Sequence, residues 1–338
     1  MECSYEALSP GVPLIERPDR ALICGSAAFD TLMVFQGRFR EHILPDQIHI
    51  LNVSFLVPQL RREFGGCAGN IAYNLHLLGD LPVPMATVGR DFAPYLDWMR
   101  RLGLPTEHVQ VIDSELTAQA FVTTDLEDNQ ITAFHPGAMQ HAHLNLVEDV
   151  EDIAIGIVAP DGRQGMTEHS EQFADLGIPF IFDPGQGLPM FEAADFDRFI
   201  EQADWVAVND YEWQLLQQKT GWTVRDVSQR VQALIVTRGH KGSVIHTENG
   251  QFEIPCAKTD AVVDPTGCGD AYRAGLLYGL MRRLDYETCG RIAAVMGALK
   301  IESRGTQNHH ATLEQIERRL AESFGDAAAA QAGLTARR

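Results

Sequence analysis

Between about residue 150 and residue 240 the apolar positions cluster into short runs, IAIGIVAP, PFIFDPG, WVAVND and ALIVTRG, with helix-patterned stretches between them. Short apolar runs bounded by turn residues predict strands buried on both faces. Their alternation with helices predicts βαβ units and a mainly parallel sheet. ALICGS at 21–26 is the expected first strand, VPMATVG another, and PYLDWMRRLG a helix stopped by glycine. In GGCAGNIAYNLHLLG, residues Ile71, Leu75 and Leu78 fall at helical spacing after a glycine turn. GSVIHTENGQFEIP predicts a hairpin turning at Asn249-Gly250. Helices are expected near 269–283 and 286–302, and a further one begins at Thr312, in capping-box register with Gln315.

The pattern contains no internal repeat and no interdomain linker. It predicts one α/β domain over 21–325, with loose ends at 1–20 and 326–338. Two β-rich pieces, near 31–60 and 118–137, do not fit the βα rhythm. They predict a second, small sheet acting as a lid.

Composition narrows the class. The chain of 338 residues is 45% hydrophobic and 22% charged, as in a soluble globular protein. It lacks an apolar run of the ~18–20 residues that a membrane span needs. The first twenty residues mix charge with proline and do not have the form of a secretory signal. A formal charge of -19 argues against a sequence-independent nucleic-acid binder, which needs a cationic footprint. Small phosphorylated ligands remain open, because local backbone amides can hold them. The six cysteines are scattered and none forms a CxxC pair, which fits a reduced, cytoplasmic setting. His135 and the histidines of Asn308-His309-His310 are expected to face solvent, with no acids or cysteines spaced to complete a zinc site.

In open α/β sheets ligands bind beyond the carboxyl ends of the strands. Those ends carry GSAAFD, FDPGQG, VND, TRG and DPTGCGD. The last opens VVDPTGCGDAYRAGLLYGL at 262–280, where a strand-like run, a glycine turn and a helix start leave backbone N–H groups free at a positive helix pole. Gly267 and Gly269, flanking Cys268, let that backbone approach a ligand, which makes an anion hole suited to phosphoryl transfer. Asp270 beside it is either an ordinary helix-terminal acid or the general base for an attacking hydroxyl. The GxxxxGK[ST] and GxGxxG patterns are both absent, so neither a P-loop enzyme nor a Rossmann dinucleotide site is indicated.

DPTGCGDAYRAG resembles the C-terminal signature of the ribokinase-like (PfkB) family of sugar and nucleoside kinases. GGCAGNIAYNLHLLG resembles its N-terminal signature, and Asn-Asp-Tyr-Glu at 209–212 its NxxE motif. The order and spacing agree, over about residues 21–320. Pro265 and Cys268 depart from the usual threonine and alanine and leave the glycines and Asp270 in place. FDPGQGLP, TTDLEDNQITAFHPGAM and the region 39–75 are similar to the bacterial nucleoside kinases of the family, which phosphorylate the ribose 5′-hydroxyl of adenosine, inosine and related nucleosides.

The resemblance implies a large α/β domain with a small β-sheet lid, ATP as phosphate donor and Mg2+. Asp270 would be the base, and Gly267, Cys268 and Gly269 the anion hole. Asp30, Gly66 and Asn70 would hold the ribose, and Gln47, Phe134 and Met139 would meet the nucleobase. Asn209, Thr237 and Gly239 would serve the nucleotide, and Glu212 the magnesium ion through water. A homodimer is compatible with this reading. A sugar kinase of the same family is the nearest alternative, and a non-catalytic sugar- or nucleoside-binding protein the alternative from another class.

Overall fold

The computed structural model describes residues 20–43, 53–127 and 129–334. Gln47 therefore lies outside the described residues. The strands are β1 (Arg20–Cys24), β2 (Ala28–Val34), β3 (Gln59–Gly65), β4 (Leu81–Gly89), β5 (Val109–Ile112), β6 (Ala118–Thr124), β7 (Gln130–His135), β8 (Ile153–Val158), β9 (Phe180–Phe182), β10 (Trp205–Asn209), β11 (Ala233–Thr237), β12 (Ser243–Thr247) and β13 (Gly250–Ile254). The helices are α1 (Cys67–Leu77), α2 (Ala93–Arg101), α3 (Arg163–Asp175), α4 (Ala193–Gln202), α5 (Asp210–Thr220), α6 (Val224–Ser228), α7 (Cys268–Met281), α8 (Tyr286–Ile301), α9 (Leu313–Phe324) and α10 (Asp326–Ala332).

The large sheet has the order β13-β12-β11-β10-β9-β8-β1-β4-β5, parallel from β11 to β5 and closed at its far edge by the antiparallel β12–β13 hairpin. Its strands alternate between two apolar layers. Ala21 and Ile23 of β1 join the layer made with α1, α7, α8 and α9, while Leu22 and Cys24 join the layer made with α3, α4 and α5. Burial on both faces is what turned these strands into unbroken apolar runs. Pro82 and Pro84 sit inside β4, whose pairing with β5 begins only at Ala86, so their missing N–H groups face a stretch without a partner strand.

The strand order reverses between β1 and β8, and such a switch point opens a crevice at the carboxyl ends of the strands. Helix α7 is pressed against α8 there: a Cβ on Gly275 would lie 2.4 Å from the Cα of Ala293. That contact fixes the pose of the helix that carries Asp270.

The β-rich pieces form the expected second sheet, in the order β3-β2-β6-β7. Phe29 at its base packs with Phe92 and Tyr95 of the α2 region. The tail differs from the loose end that its composition predicts. Residues Asp326–Ala332 form α10, and Ala328, Ala329, Ala332 and Leu334 are buried against the core. Short alanines give a weak apolar signal in sequence yet fill a shallow groove well. No helix among the described residues is long and apolar enough to cross a membrane.

Candidate active site

Gly267 is the N-cap of α7 and adopts φ 80°, a left-handed conformation that disfavours any side chain. The turn before it is tied from several sides. Asp264 accepts from the amides of Thr266 (2.9 Å) and Gly305 (2.9 Å), and the buried Lys300 ammonium donates to the carbonyls of Asp264 (2.7 Å) and Ser303 (3.1 Å). The Cys268 amide turns back to the Pro265 carbonyl at 3.1 Å. The Cys268 amide, expected in the anion hole, is thus engaged in the turn itself. Gly269 and Asp270, next in the first turn, have no carbonyl four residues back inside the helix. The space above Gly269 is open, with nothing within 4 Å of where a Cβ would be.

These groups open into a cleft of ≈ 590 Å³ lined by Gly267, Gly269, Asp270, Arg273, Asn209, Glu212 and Thr237, with Cys67, Pro160, Asp183, Gly185 and Gln186. Predicted residues from the ends of β10, β11 and the α7 loop thus meet in one place. Gly239, although only two residues after Thr237, is not on this wall; it starts a tight turn at φ 55°.

Asp270 lies where the cleft meets α1. Asn70 of α1, whose helix is capped by Gly66 at φ 83°, donates from Nδ2 to Asp270 Oδ2 at 2.8 Å. A Cβ on Gly66 would strike the Ser26 carbonyl at 2.5 Å, so this turn too requires glycine. Burial pushes the Asp270 carboxyl up to about 7, and Asp183 adds to the rise. Asn70, Arg273 and Cys67 oppose it. A carboxylate titrating near neutrality is suited to accept a proton.

Asp30 stands on β2, half-buried, opposite Glu63 of β3. Burial, then Glu63 and Asp264, raise its carboxyl to about 6. The small sheet's register places Asp30 beside Ala120 and Ala120 beside Phe134, so Phe134 shares the face of Asp30 and is 53% exposed on it. Met139 is half-buried in the turn after β7, and its carbonyl packs on Gly162 beyond β8.

Asn209 and Glu212 lock each other at the start of α5. Asn209 Oδ1 accepts from the Glu212 amide at 2.8 Å, and the two Glu212 oxygens accept from the Asn209 amide (2.8 Å) and Nδ2 (2.7 Å). Burial, followed by Asp183, raises the Glu212 carboxyl. Among the described residues no group of three or more His, Cys, Asp or Glu is placed to hold a metal ion. The donor set fits a hydrated magnesium ion, held through its waters by Glu212, and not direct ligation.

Two buried charges in the cleft were not anticipated. Arg273 donates from Nε and a terminal nitrogen to both oxygens of Asp183, each at 3.1 Å. Both residues sit inside quoted motifs, but nothing local marks them as partners. One histidine also differs from expectation: His309 is 3% exposed and hydrogen-bonded to Asn74 Oδ1 at 2.8 Å, while His310 and His135 face solvent as expected.

The sequence pattern of the pfkB family of carbohydrate kinases matches residues 30–313. A nucleoside kinase of Burkholderia thailandensis, solved with inosine, is 53% identical with a TM-score of 0.83, covering 90% of this chain and 98% of that one. The same enzyme solved with ADP and inosine gives 55% identity and a TM-score of 0.80, over 90% and 96%. A nucleoside kinase of Methanocaldococcus jannaschii is 32% identical over 271 residues, 80% of this chain and 89% of its own length. With signature turns, sheet order and relatives in agreement, this chain belongs to the pfkB family of carbohydrate kinases and is a phosphotransferase.

Proposed function

We infer that the protein is an ATP-dependent nucleoside kinase acting on the ribose 5′-hydroxyl. The observation that carries this is the double membership of Asp270, which borders the phosphate cleft and is hydrogen-bonded to the sugar-side Asn70. A hydroxyl placed there has a base on one side and the α7 amides on the other. The inosine-bound relatives support a nucleoside as the molecule that carries it.

In this reading Asp30 and Asn70 grip the ribose hydroxyls, since a carboxylate plus an amide can serve groups that both donate and accept. Phe134 offers a ring face to the nucleobase from the small sheet. Asp270 takes the 5′-hydroxyl proton, while the amides of Gly267, Gly269 and Asp270 hold the transferred phosphoryl group. Thr237 contacts the nucleotide and Asn209 aligns Glu212. Magnesium, when bound with ATP, neutralises phosphate charge. The small sheet acts as a lid that excludes water competing for the phosphate. Its opposite face exposes Leu60 (63%), Phe121 (39%) and Ile131 (44%), an apolar surface that supports a homodimer, measurable by sedimentation.

The test is a coupled ADP-release assay with adenosine, inosine, cytidine, ribose and fructose. Nucleosides should lead in kcat/KM. A free sugar preferred by tenfold, about 1.4 kcal/mol of transition-state discrimination, would overturn the nucleoside assignment in favour of a sugar kinase.

A further inference from the structure

The loop after α8 crosses from the anion-hole turn to the small sheet. Gly305 donates to Asp264, Thr306 Oγ1 to the Phe64 carbonyl, and Asn308 Nδ2 to Glu63 Oε2 at 2.8 Å. Gln307 between them points inward and is 3% exposed. Its Nε2 donates to Asn70 Oδ1 at 3.0 Å and to the Tyr95 hydroxyl, and its Oε1 accepts from the Trp98 indole at 3.0 Å.

The two ends of a side-chain amide have nearly the same shape, so only their partners decide which way it faces. Here the decision starts at a group with no choice. An indole N–H only donates, so Gln307 must turn its oxygen to Trp98 and its NH2 to Asn70. Asn70 must then answer with oxygen, which leaves its own NH2 facing Asp270. Tyr95 agrees, because its hydroxyl donates to the Gly65 carbonyl at 2.9 Å and is left to accept from Gln307.

We propose that Gln307 is a positioning residue for phosphoryl transfer: with Trp98 as the fixed donor behind it, it sets which end of the Asn70 amide faces Asp270. This rests on the reading of Asp270 as the base. Without the chain, Asn70 is free to rotate and present its oxygen to a carboxylate, which then has to hold a proton to donate back. The other groups facing Asp270 are Arg273 and the Cys268 thiol on α7, Asp183 beyond β9, Cys67 on α1 and Tyr95 on α2. Of these only Tyr95 is bonded to Gln307, and Trp98→Phe replaces a side chain that bonds to none of them. A residue that merely filled the core would affect melting and leave the acid limb where it was.

The experiment compares the parent with Gln307→Met, Gln307→Glu and Trp98→Phe. It records kcat/KM for inosine from pH 5 to pH 9, KM for ATP, and the melting temperature. The parent's acid limb is expected at about pH 7. Gln307→Met should move it up by about one pH unit, the size of one lost hydrogen bond to a charged group. Activity should recover toward the parent value at pH 9, with KM for ATP within about twofold of the parent. Gln307→Glu offers only acceptors to Asn70 and should shift the limb at least as far. Trp98→Phe should shift it less, although Trp98 touches neither Asn70 nor Asp270, and it carries the test if the Gln307 variants fail to fold. An unmoved acid limb in folded Trp98→Phe and Gln307→Met overturns the proposal. The base assignment fails separately, if Asp270→Asn turns over near the parent rate.

Discussion

Replacing Asp270 by asparagine exposes a conflict between stability and the proposed function, because the same burial that suits the group to the role of base makes it a poor structural residue. The carboxyl rises from 3.8 to about 7 on folding. Its ionised form is therefore disfavoured in the folded chain by about 4 kcal/mol, each pKa unit being 1.36 kcal/mol. The sign follows from proton binding. Between pH 3.8 and about 7 the folded state binds a proton that the unfolded state has lost, so stability falls as pH rises through this window and the full penalty stands above it. An asparagine never pays it. Asp270→Asn should melt at or above the parent temperature, with the gain largest at pH 8 and small below pH 4. It keeps a hydrogen bond with Asn70 by offering its oxygen, and then turns an NH2 toward the substrate hydroxyl, a donor where an acceptor is needed. Turnover should fall by about 10²–10⁴-fold, with ATP affinity within a few-fold. Calorimetry at pH 5 and pH 8 and single-turnover kinetics measure both effects. An asparagine enzyme that turns over within tenfold of the parent, or that is markedly less stable at pH 8, refutes the reasoning.

Other substitutions test the surrounding parts. Asp30→Ala removes acceptors for ribose hydroxyls and should lower kcat/KM for nucleoside by about one to two orders of magnitude, a charged partner being worth ~1.5–3 kcal/mol, with KM for ATP unchanged. Loss of ATP affinity instead would place Asp30 elsewhere. Asp183→Asn leaves the guanidinium of Arg273 buried with half its partner and should destabilise the fold by ~3–5 kcal/mol in urea titration. A loss below 1 kcal/mol would mean that the pair is solvated. His309 donates from Nε2 to Asn74, whose own Nδ2 is committed to the Asn70 carbonyl, and burial holds the ring down to about 4. The unfolded chain takes up a proton below pH 6.5 that the folded chain refuses, so stability should drop by about 3 kcal/mol between pH 6.5 and 4. His309→Gln should flatten that part of the profile.

How much of this could be seen in the sequence depends on how local each signal is. β8, β9, β10 and β11 were legible because burial on both faces leaves an unbroken apolar run. The glycine turn at the start of α7 was legible because a left-handed conformation and an open approach demand glycine at fixed places in one short stretch. Asp30, Asn70 and Glu212 needed the family resemblance, since a single polar residue in a turn or helix start has an ordinary explanation. Arg273 and Asp183 lie 90 residues apart, and Gln307 and Asn70 lie 237 apart. No periodicity links such partners; the topology alone does. His309 was misjudged for a related reason. A polar loop is expected outside, but this one is drawn in by Tyr73 and Asn74 of α1.

The small sheet is not an appendage on one tether. The chain passes between the two sheets four times: after β1, before α1, between β5 and β6, and after β7. These passages are stitched in pairs. Ala68 and Cys67 bind the Ser26 carbonyl (2.9 Å) and hydroxyl (3.2 Å), and Ala138 binds the Leu116 carbonyl (2.9 Å). In the proposed closure these stitches act as the hinge of a door, with the loop after α8 as a further tie through Phe64 and Glu63. Asp30 is on the door and Asn70 on the frame. A ribose that reaches both is therefore a latch as well as a substrate. Analogues missing one hydroxyl should still enter, yet leave the door ajar, so discrimination against deoxynucleosides should be felt in turnover more than in binding.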